Sequence, residues 1–276
     1  KIVEASYDDS HKAAVTLKSA VDALVAGPAQ ATLDAARVAW LDSREPYLQT
    51  EVYRFYDGPI DNPTDGPEGA INAWPLEEAL IDYVDGNDAA GIVNNEAGLD
   101  VEITAENLEG LNEKDGEESN VATGYHAIEF LLWGQDKSVD GAGDRPYTDY
   151  VTDGTGTASN QERRGQYLTV ATELLLSHLA WLKSAWAVGS TYRTSFEADP
   201  QEAFKKILTG MIILSGFETG SERLKAALDS GDQEDEHSCF SDNTHRDMIQ
   251  DIQGVWNVWA GTYERIDGSV ISGTSV

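Results

Sequence analysis

The sequence predicts an all-α protein built from helical bundles. Apolar residues recur every three or four positions through several stretches of helical length, the period of an amphipathic helix. No alternating strand pattern extends beyond a few residues, and there is no glycine-rich phosphate loop or dinucleotide fingerprint. Helices with a single apolar stripe bury it against one another, and the result is a bundle.

Taken in order, residues 2–26 read as a first helix with Val3, Ala14, Leu17, Val21, Leu24 and Val25 near one stripe, ended by Gly27-Pro28. A second helix starts after Thr32, a residue type suited to an N-cap. Its stripe holds Leu33, Ala36, Trp40, Arg44, Leu48, Glu51 and Phe55. Pro46 removes one hydrogen bond inside it and predicts a kink. Arg44 and Glu51 interrupt an apolar face, either as a packed ion pair or with Glu51 as a ligand that Arg44 tunes. Residues 57–73 are rich in Gly, Pro, Asp and Asn. Asp61, Asp65, Gly66 and Glu68 partly match a calcium loop, but Pro63 occupies a ligand position and the closing Glu is missing, so the stretch reads as a structured turn.

A third helix follows Trp74-Pro75, with Leu76, Ala79, Leu80 and Tyr83 inward, and short helices and turns fill 86–116. The next helix runs from about Glu118 to Trp133 and stops at Gly134. Residues 135–160, rich in Gly, Asp, Thr and Ser, form a long loop and the best boundary, dividing the chain into 1–135 and 136–276. Residues 161–188 read as a long helix whose stripe includes Tyr167, Leu175, His178, Trp181 and Trp186, with His178 as a core residue. Another spans about 200–229, where Gly210, Gly216 and Gly220 suggest close helix packing and Glu218, Glu222 and Arg223 line a polar interface. A last helix, about 246–266, presents Ile249, Ile252, Val255, Trp256, Trp259 and Tyr263.

The most informative segment is Gly124-Tyr125-His126-Ala127-Ile128-Glu129-Phe130-Leu131-Leu132-Trp133. His126 and Glu129 lie three residues apart, so on a helix they share one face at roughly 5–6 Å between Cβ atoms. A histidine and a carboxylate fixed beside apolar surface supply two of the donors of a metal site; the alternative is a satisfied core pair. Such a donor set suits iron, zinc or copper.

Several landmarks carry a family resemblance. Gly124-x-His126-x-x-Glu129 resembles the signature of the imelysin family. So do Trp40, Arg44 and Glu51 in a helix, then Gly58-Pro59-Ile60-Asp61, then Asn72-Ala73-Trp74-Pro75, in that order. The acidic stretch 232–245, with His237, Cys239 and His245, is similar to the branch described as iron-regulated protein A. The resemblance implies two four-helix-bundle-like halves, and an exported protein of the periplasm or outer-membrane surface, often lipid-anchored through residues that would precede Lys1. It implies an iron or zinc ion on His126, Glu129, Glu51 and, as a weaker fourth ligand, Asp61, with Arg44, Trp40, Gly124, Trp74, Glu218, Glu222 and Arg223 around them. His237, Cys239 and His245 form a candidate second site. The role implied is metal binding linked to iron acquisition or regulation, with an envelope iron-uptake or redox protein as partner.

The family name also implies a peptidase, and some relatives are described as polysaccharide binders. Against the peptidase, a zinc site of the His-Glu-x-x-His kind needs a second histidine and a free glutamate base, and the motif here holds one His and one Glu. Against an acidic polymer stands the net charge of −30, which also argues against nucleic acid and anionic lipid and reads mainly as solubility in a salty medium. No apolar run is long enough to span a membrane. The start at Lys1, without Met or an apolar leader, is read as a removed signal segment or a trimmed chain. One cysteine permits no internal disulfide.

Overall fold

The computed structural model describes residues 1–95 and 100–276. In chain order the helices are α1 (Ile2–Ala26), α2 (Gln30–Leu48), the short α3 (Glu68–Ile71), α4 (Glu78–Ile81), α5 (Gly91–Asn94) and α6 (Ala105–Glu109), then α7 (Gly124–Trp133), α8 (Gln161–Ala185), α9 (Thr191–Ala198), α10 (Pro200–Ile212), α11 (Ala226–Ser230) and α12 (Thr244–Ala260). A π-helical stretch, Ile213–Lys225, joins α10 to α11, so residues 200–230 form one continuous helix. Among the described residues the protein is all-α apart from one antiparallel hairpin, β1 (Thr262–Glu264) with β2 (Val270–Ser272), in which Tyr263 faces Ile271.

Helix α1 packs on α2 and α8, and α7 packs on the same two helices, which closes a four-helix ring. Its interior is supplied by the stripes read from the sequence: Leu17, Val21 and Leu24 of α1, Leu33, Ala36 and Trp40 of α2, and Tyr167 and Leu175 of α8 are all fully buried. Each such side chain contributes roughly 1.5–3 kcal/mol by leaving water. α7 is different, because all ten of its residues are buried. It is the central member of the bundle, and its polar side chains must find partners inside the protein. The helix 200–230 and α12 pack beside one another and against the start of the segment after α2.

Several boundaries differ from the sequence reading. The second helix ends at Leu48, two residues after Pro46, where Thr50 Oγ1 donates to the Tyr47 carbonyl at 2.6 Å; Glu51–Tyr53 is a separate turn of 3₁₀ helix. Helix α4 begins three residues after Pro75 rather than on it. α7 begins at Gly124, six residues later than expected. The last helix stops at Ala260 because Gly261 adopts the left-handed conformation at its C-terminus. Of the three glycines expected to pack closely only Gly210 does so against another element, where a Cβ would collide with the Val52 carbonyl and the Tyr56 ring; a methyl on Gly216 would meet nothing. His178 lies in the outer half of α8, 2.9 Å from Glu109, rather than in the core.

The start of α7 explains the glycine of the motif. Gly124 has φ +83°, and a Cβ there would lie 2.4 Å from the Ile71 carbonyl oxygen and 2.9 Å from that of Ala70. Only glycine combines that backbone with that approach. We expect Gly124→Ala to destabilise the protein by roughly 2–4 kcal/mol in chemical denaturation. Gly141→Ala, where a Cβ meets nothing, should stay within about 0.5 kcal/mol of wild type.

Candidate functional site

Helical spacing brings His126 and Glu129 together one turn apart on α7, with His126 Nδ1 3.0 Å from Glu129 Oε2. The second carboxylate oxygen, Oε1, accepts from the backbone N–H of Ser241 at 2.9 Å and from its hydroxyl at 2.6 Å. Both oxygens of Glu129 are therefore occupied. Ser241 belongs to the segment between the helix 200–230 and α12, and that segment also carries His237. The two imidazole rings meet edge to face, 4.7 Å between centroids at 74°. Trp74 closes the other side of His126 at 5.0 Å.

His237 repeats the arrangement of His126. Its Nδ1 lies 2.7 Å from Asp247 Oδ2 on α12. That oxygen also accepts from Arg44 at 2.7 Å and from the Ser238 hydroxyl at 2.6 Å, and Asn243 donates to Oδ1 at 3.2 Å. Arg44 spends its other terminal nitrogen on the Asn72 side chain. Its guanidinium lies over the rings of Tyr125 at 5.0 Å and Trp40 at 5.5 Å. Trp40 itself donates to the Tyr125 carbonyl at 3.0 Å, which ties α2 to the start of α7. His126, Glu129, Arg44 and Asp247 are all fully buried.

Burial sets the protonation states. It pushes the Glu129 carboxyl up to about 8, more than the Ser241 hydrogen bonds and Arg44 pull it down. Burial, then His237 and Arg44, hold His126 well below the usual imidazole range. Burial and Arg223 bring His237 down to about 4 against the pull of Asp247. Burial raises Asp247, but Arg44 and His237 outweigh it and keep it far below the usual carboxylate range. Both imidazoles are thus neutral at pH 7. Asp247 is ionised, so His237 donates through Nδ1 and keeps the lone pair on Nε2. His126 Nε2 is buried with no hydrogen-bond partner, and His237 Nε2 makes no hydrogen bond among the described residues. A carboxylate on Nδ1 is the arrangement of a metal-ligating histidine, which His237 has with Asp247 and which His126 reaches once Glu129 loses its proton.

Glu51 lies in a second polar cluster. It accepts from Arg223 at 2.6 Å and from Arg54 at 3.2 Å. Arg223 also reaches Asp251 at 2.7 Å. Burial raises Glu51, but Arg54 and Arg223 outweigh it and hold the carboxyl at about 2. Arg44, expected to pair with or tune Glu51, instead joins Asp247. Asp61 caps its own turn, accepting from the Gly58 N–H at 2.6 Å. Glu218 stands 3.8 Å from Arg54 and Glu222 is exposed. The acidic segment does not gather its three candidates: His237 turns to His126, Cys239 is buried with its thiol pushed far up by burial, and His245 is exposed and bonded to the Asp242 carbonyl. Among the described residues no group of three or more His, Cys, Asp or Glu is placed to hold a metal ion.

Asp247, Ser241 and Asp251 escaped the sequence reading. Their signal was present for two of them: Asp247, Gln250, Asp251 and Asn257 form a polar stripe on α12 at helical spacing, overshadowed by the apolar stripe opposite.

The sequence profile of the family described as Imelysin matches residues 3–275. Iron-regulated protein A of Synechococcus elongatus is 26% identical over 273 residues, which covers 97% of this chain and 63% of the relative, so the chain spans less than two thirds of that protein's length. A solved structure from Parabacteroides distasonis, provisionally described as an iron-regulated protein A precursor, superposes with a TM-score of 0.65 at 16% identity, covering 94% of this chain and 70% of the other, and shows the same fold.

The carboxyl of Glu129 has a pH signature. A group whose pKa rises on folding lends stability that is complete below its ordinary value and is lost as pH rises through the folded value, here about 8. His237 acts in the opposite sense, its stabilisation being lost as pH falls toward about 4. Asp251, held by burial at about 7 despite Arg223, adds its own decline lower in the range. Between about pH 7.5 and 9 the melting temperature of metal-free protein should therefore fall, and Glu129→Gln should flatten that fall. Parallel curves for the two proteins would place the Glu129 proton elsewhere.

Proposed function

The chain belongs to the imelysin family, and on that premise we propose that it is an iron-linked, metal-binding protein of the cell envelope whose ion sits between His126 and His237. The observation that carries the reading is the pair of buried imidazoles in edge-to-face contact, each bound at Nδ1 to a carboxyl side chain, with Nε2 of His126 buried and without a partner. An isolated buried ring nitrogen costs free energy unless something occupies it. Two neutral imidazoles with no thiol suit Fe(II) or Zn(II). Glu129 and Asp247 serve as orienting carboxylates rather than ligands, because their oxygens already accept hydrogen bonds. An ion on Nε2 favours the His126 tautomer that donates from Nδ1, and Glu129 then gives up its proton. Binding is therefore expected to tighten as pH rises toward about 8.

Iron enters the reading through the relatives described as iron-regulated protein A, and export through the precursor description of the solved neighbour. No helix among the described residues is long and apolar enough to cross a membrane. A peptidase finds little support in the geometry. His126 and Glu129 are fully enclosed, which leaves no room for a polypeptide substrate, and Glu129 holds an imidazole where a base would have to hold water.

The test is a titration of metal-free protein with zinc and, without oxygen, with Fe(II), read as bound metal and as the shift in melting temperature. One ion per chain is expected. His126→Ala and His237→Ala should each abolish the shift, and Glu129→Gln and Asp247→Asn should weaken affinity by roughly 10–100-fold. Cys239→Ser should bind as wild type does. An undiminished shift in His126→Ala would overturn the reading.

A further inference from the structure

The helix 200–230 changes its winding midway. Its residues Ile213–Lys225 form a π-helix 13 residues long. Such winding is ordinarily a single wide turn inside an α-helix, so a run of this length persists only where outside contacts hold it. The side chains it buries, Leu214, Thr219 and Arg223, stand five and four residues apart, which suits i→i+5 winding. The start of the run is fixed in place. Leu214 is fully buried, and one turn earlier Gly210 is buried where a Cβ would collide with the Val52 carbonyl. With Leu214 held inward, α winding at about 3.6 residues per turn would point Thr219 about 140° away from it and Arg223 about 180° away, and would bring Phe217 to within about 60°. The π winding is therefore what turns Arg223 inward. There it donates to Glu51 at 2.6 Å and to Asp251 at 2.7 Å, and Thr219 donates to the same Asp251 oxygen at 3.1 Å. Gly220 is fitted to this winding as well, since a Cβ there would lie 3.1 Å from the Ser215 carbonyl oxygen five residues back.

We infer that Ile213–Lys225 is a winding switch for the histidine pair: its π form, held by Glu51 and Asp251, closes His237 onto His126, and rewinding to α-helix parts them. The inference rests on the metal reading above. Local preference and tertiary contact oppose each other along this stretch. The backbone favours α winding, in which Phe217 replaces Arg223 on the inner side, while two buried carboxylates favour π winding because either would lose its arginine without it. That opposition makes the element bistable. Gly210 and Leu214 fix its start, so a change of winding appears as rotation and displacement at its far end. That end leads through α11 and Gly231 into the segment that carries His237 and Ser241, the groups that touch His126 and Glu129. His126 and Glu129 are fully buried, and a site so enclosed needs a movement of this kind to take up an ion.

Hydrogen exchange of the full chain, read peptide by peptide with and without zinc, tests the inference. In metal-free wild type, 213–225 and 232–243 are expected to exchange roughly tenfold faster than α7, and zinc should slow both together. Arg223→Leu removes the contact that holds the π winding. It should speed exchange of 232–243 in metal-free protein by roughly tenfold and weaken zinc binding, although it touches neither histidine. If Arg223→Leu does not fold, Gly220→Ala gives the same readout in the same direction, because its methyl crowds the π form alone and leaves the carboxylate contacts in place. Gly216→Ala, where a Cβ meets nothing, should leave 232–243 at the wild-type rate. A crystal structure of whichever of the two switch variants folds should show α winding through 213–225 with Phe217 turned inward. Retained π winding, exchange of 232–243 indifferent to Arg223→Leu and Gly220→Ala, or zinc that slows 232–243 but not 213–225 would each overturn it. A wild type that takes up no zinc would sink the metal reading instead, and the metal-free exchange of the variants would still decide the switch.

Discussion

The buried ion pair of Arg44 with Asp247 is the constraint on which the site depends. It joins α2 to α12 with no exposure to solvent, and breaking such a pair by removing one partner costs about 3–5 kcal/mol because the other charge is left uncompensated. It also has a local consequence. Asp247 stays ionised because Arg44 faces it, and the ionised carboxylate fixes the His237 tautomer and its approach to His126. Arg223 repeats the device one turn along α12, joining Asp251 to Glu51. Two arginines thus fasten the C-terminal helix to the N-terminal bundle through charge rather than through apolar packing.

That choice explains the unusual surface of α12. A helix can turn only one face inward. Here the inward face is the polar one, since Arg44 of α2 and Arg223 of the helix 200–230, both buried, require carboxylates. The apolar stripe is displaced to the outside. The same balance makes Glu129 a weak acid: it faces Ser241 and His126 but no arginine close enough to bond, so burial dominates its carboxyl. Three carboxyls in one region therefore end in different states, Asp247 firmly ionised, Glu51 ionised at about 2, and Glu129 protonated up to about 8, according to whether an arginine touches them.

The all-α fold and the α7 pair were legible in the sequence for physical reasons. Leu17, Val21 and Leu24, or Leu33, Ala36 and Trp40, stand at helical spacing, and a three-residue spacing on a helix is enough to bring His126 to Glu129. What could not be read was which face of α12 turns inward, since that depends on where Arg44 and Arg223 come to lie, and those contacts span 203 and 28 residues of sequence. The same gap misdirected the reading of Arg44, which lies near Glu51 along the chain but bonds Asp247. It also hid the role of His237, whose ring meets that of His126 on α7. The β1–β2 hairpin left no signal because three-residue strands are too short to show alternation.

The central claim is that two imidazoles from distant parts of the chain share one ion. X-ray absorption spectroscopy of the zinc- or iron-loaded protein addresses it directly, because imidazole rings bound through nitrogen give a recognisable outer-shell scattering pattern. The account predicts two imidazoles per metal in wild type, and one or no bound metal in His237→Ala. A metal surrounded only by oxygen, or a spectrum unchanged by His237→Ala, would contradict it.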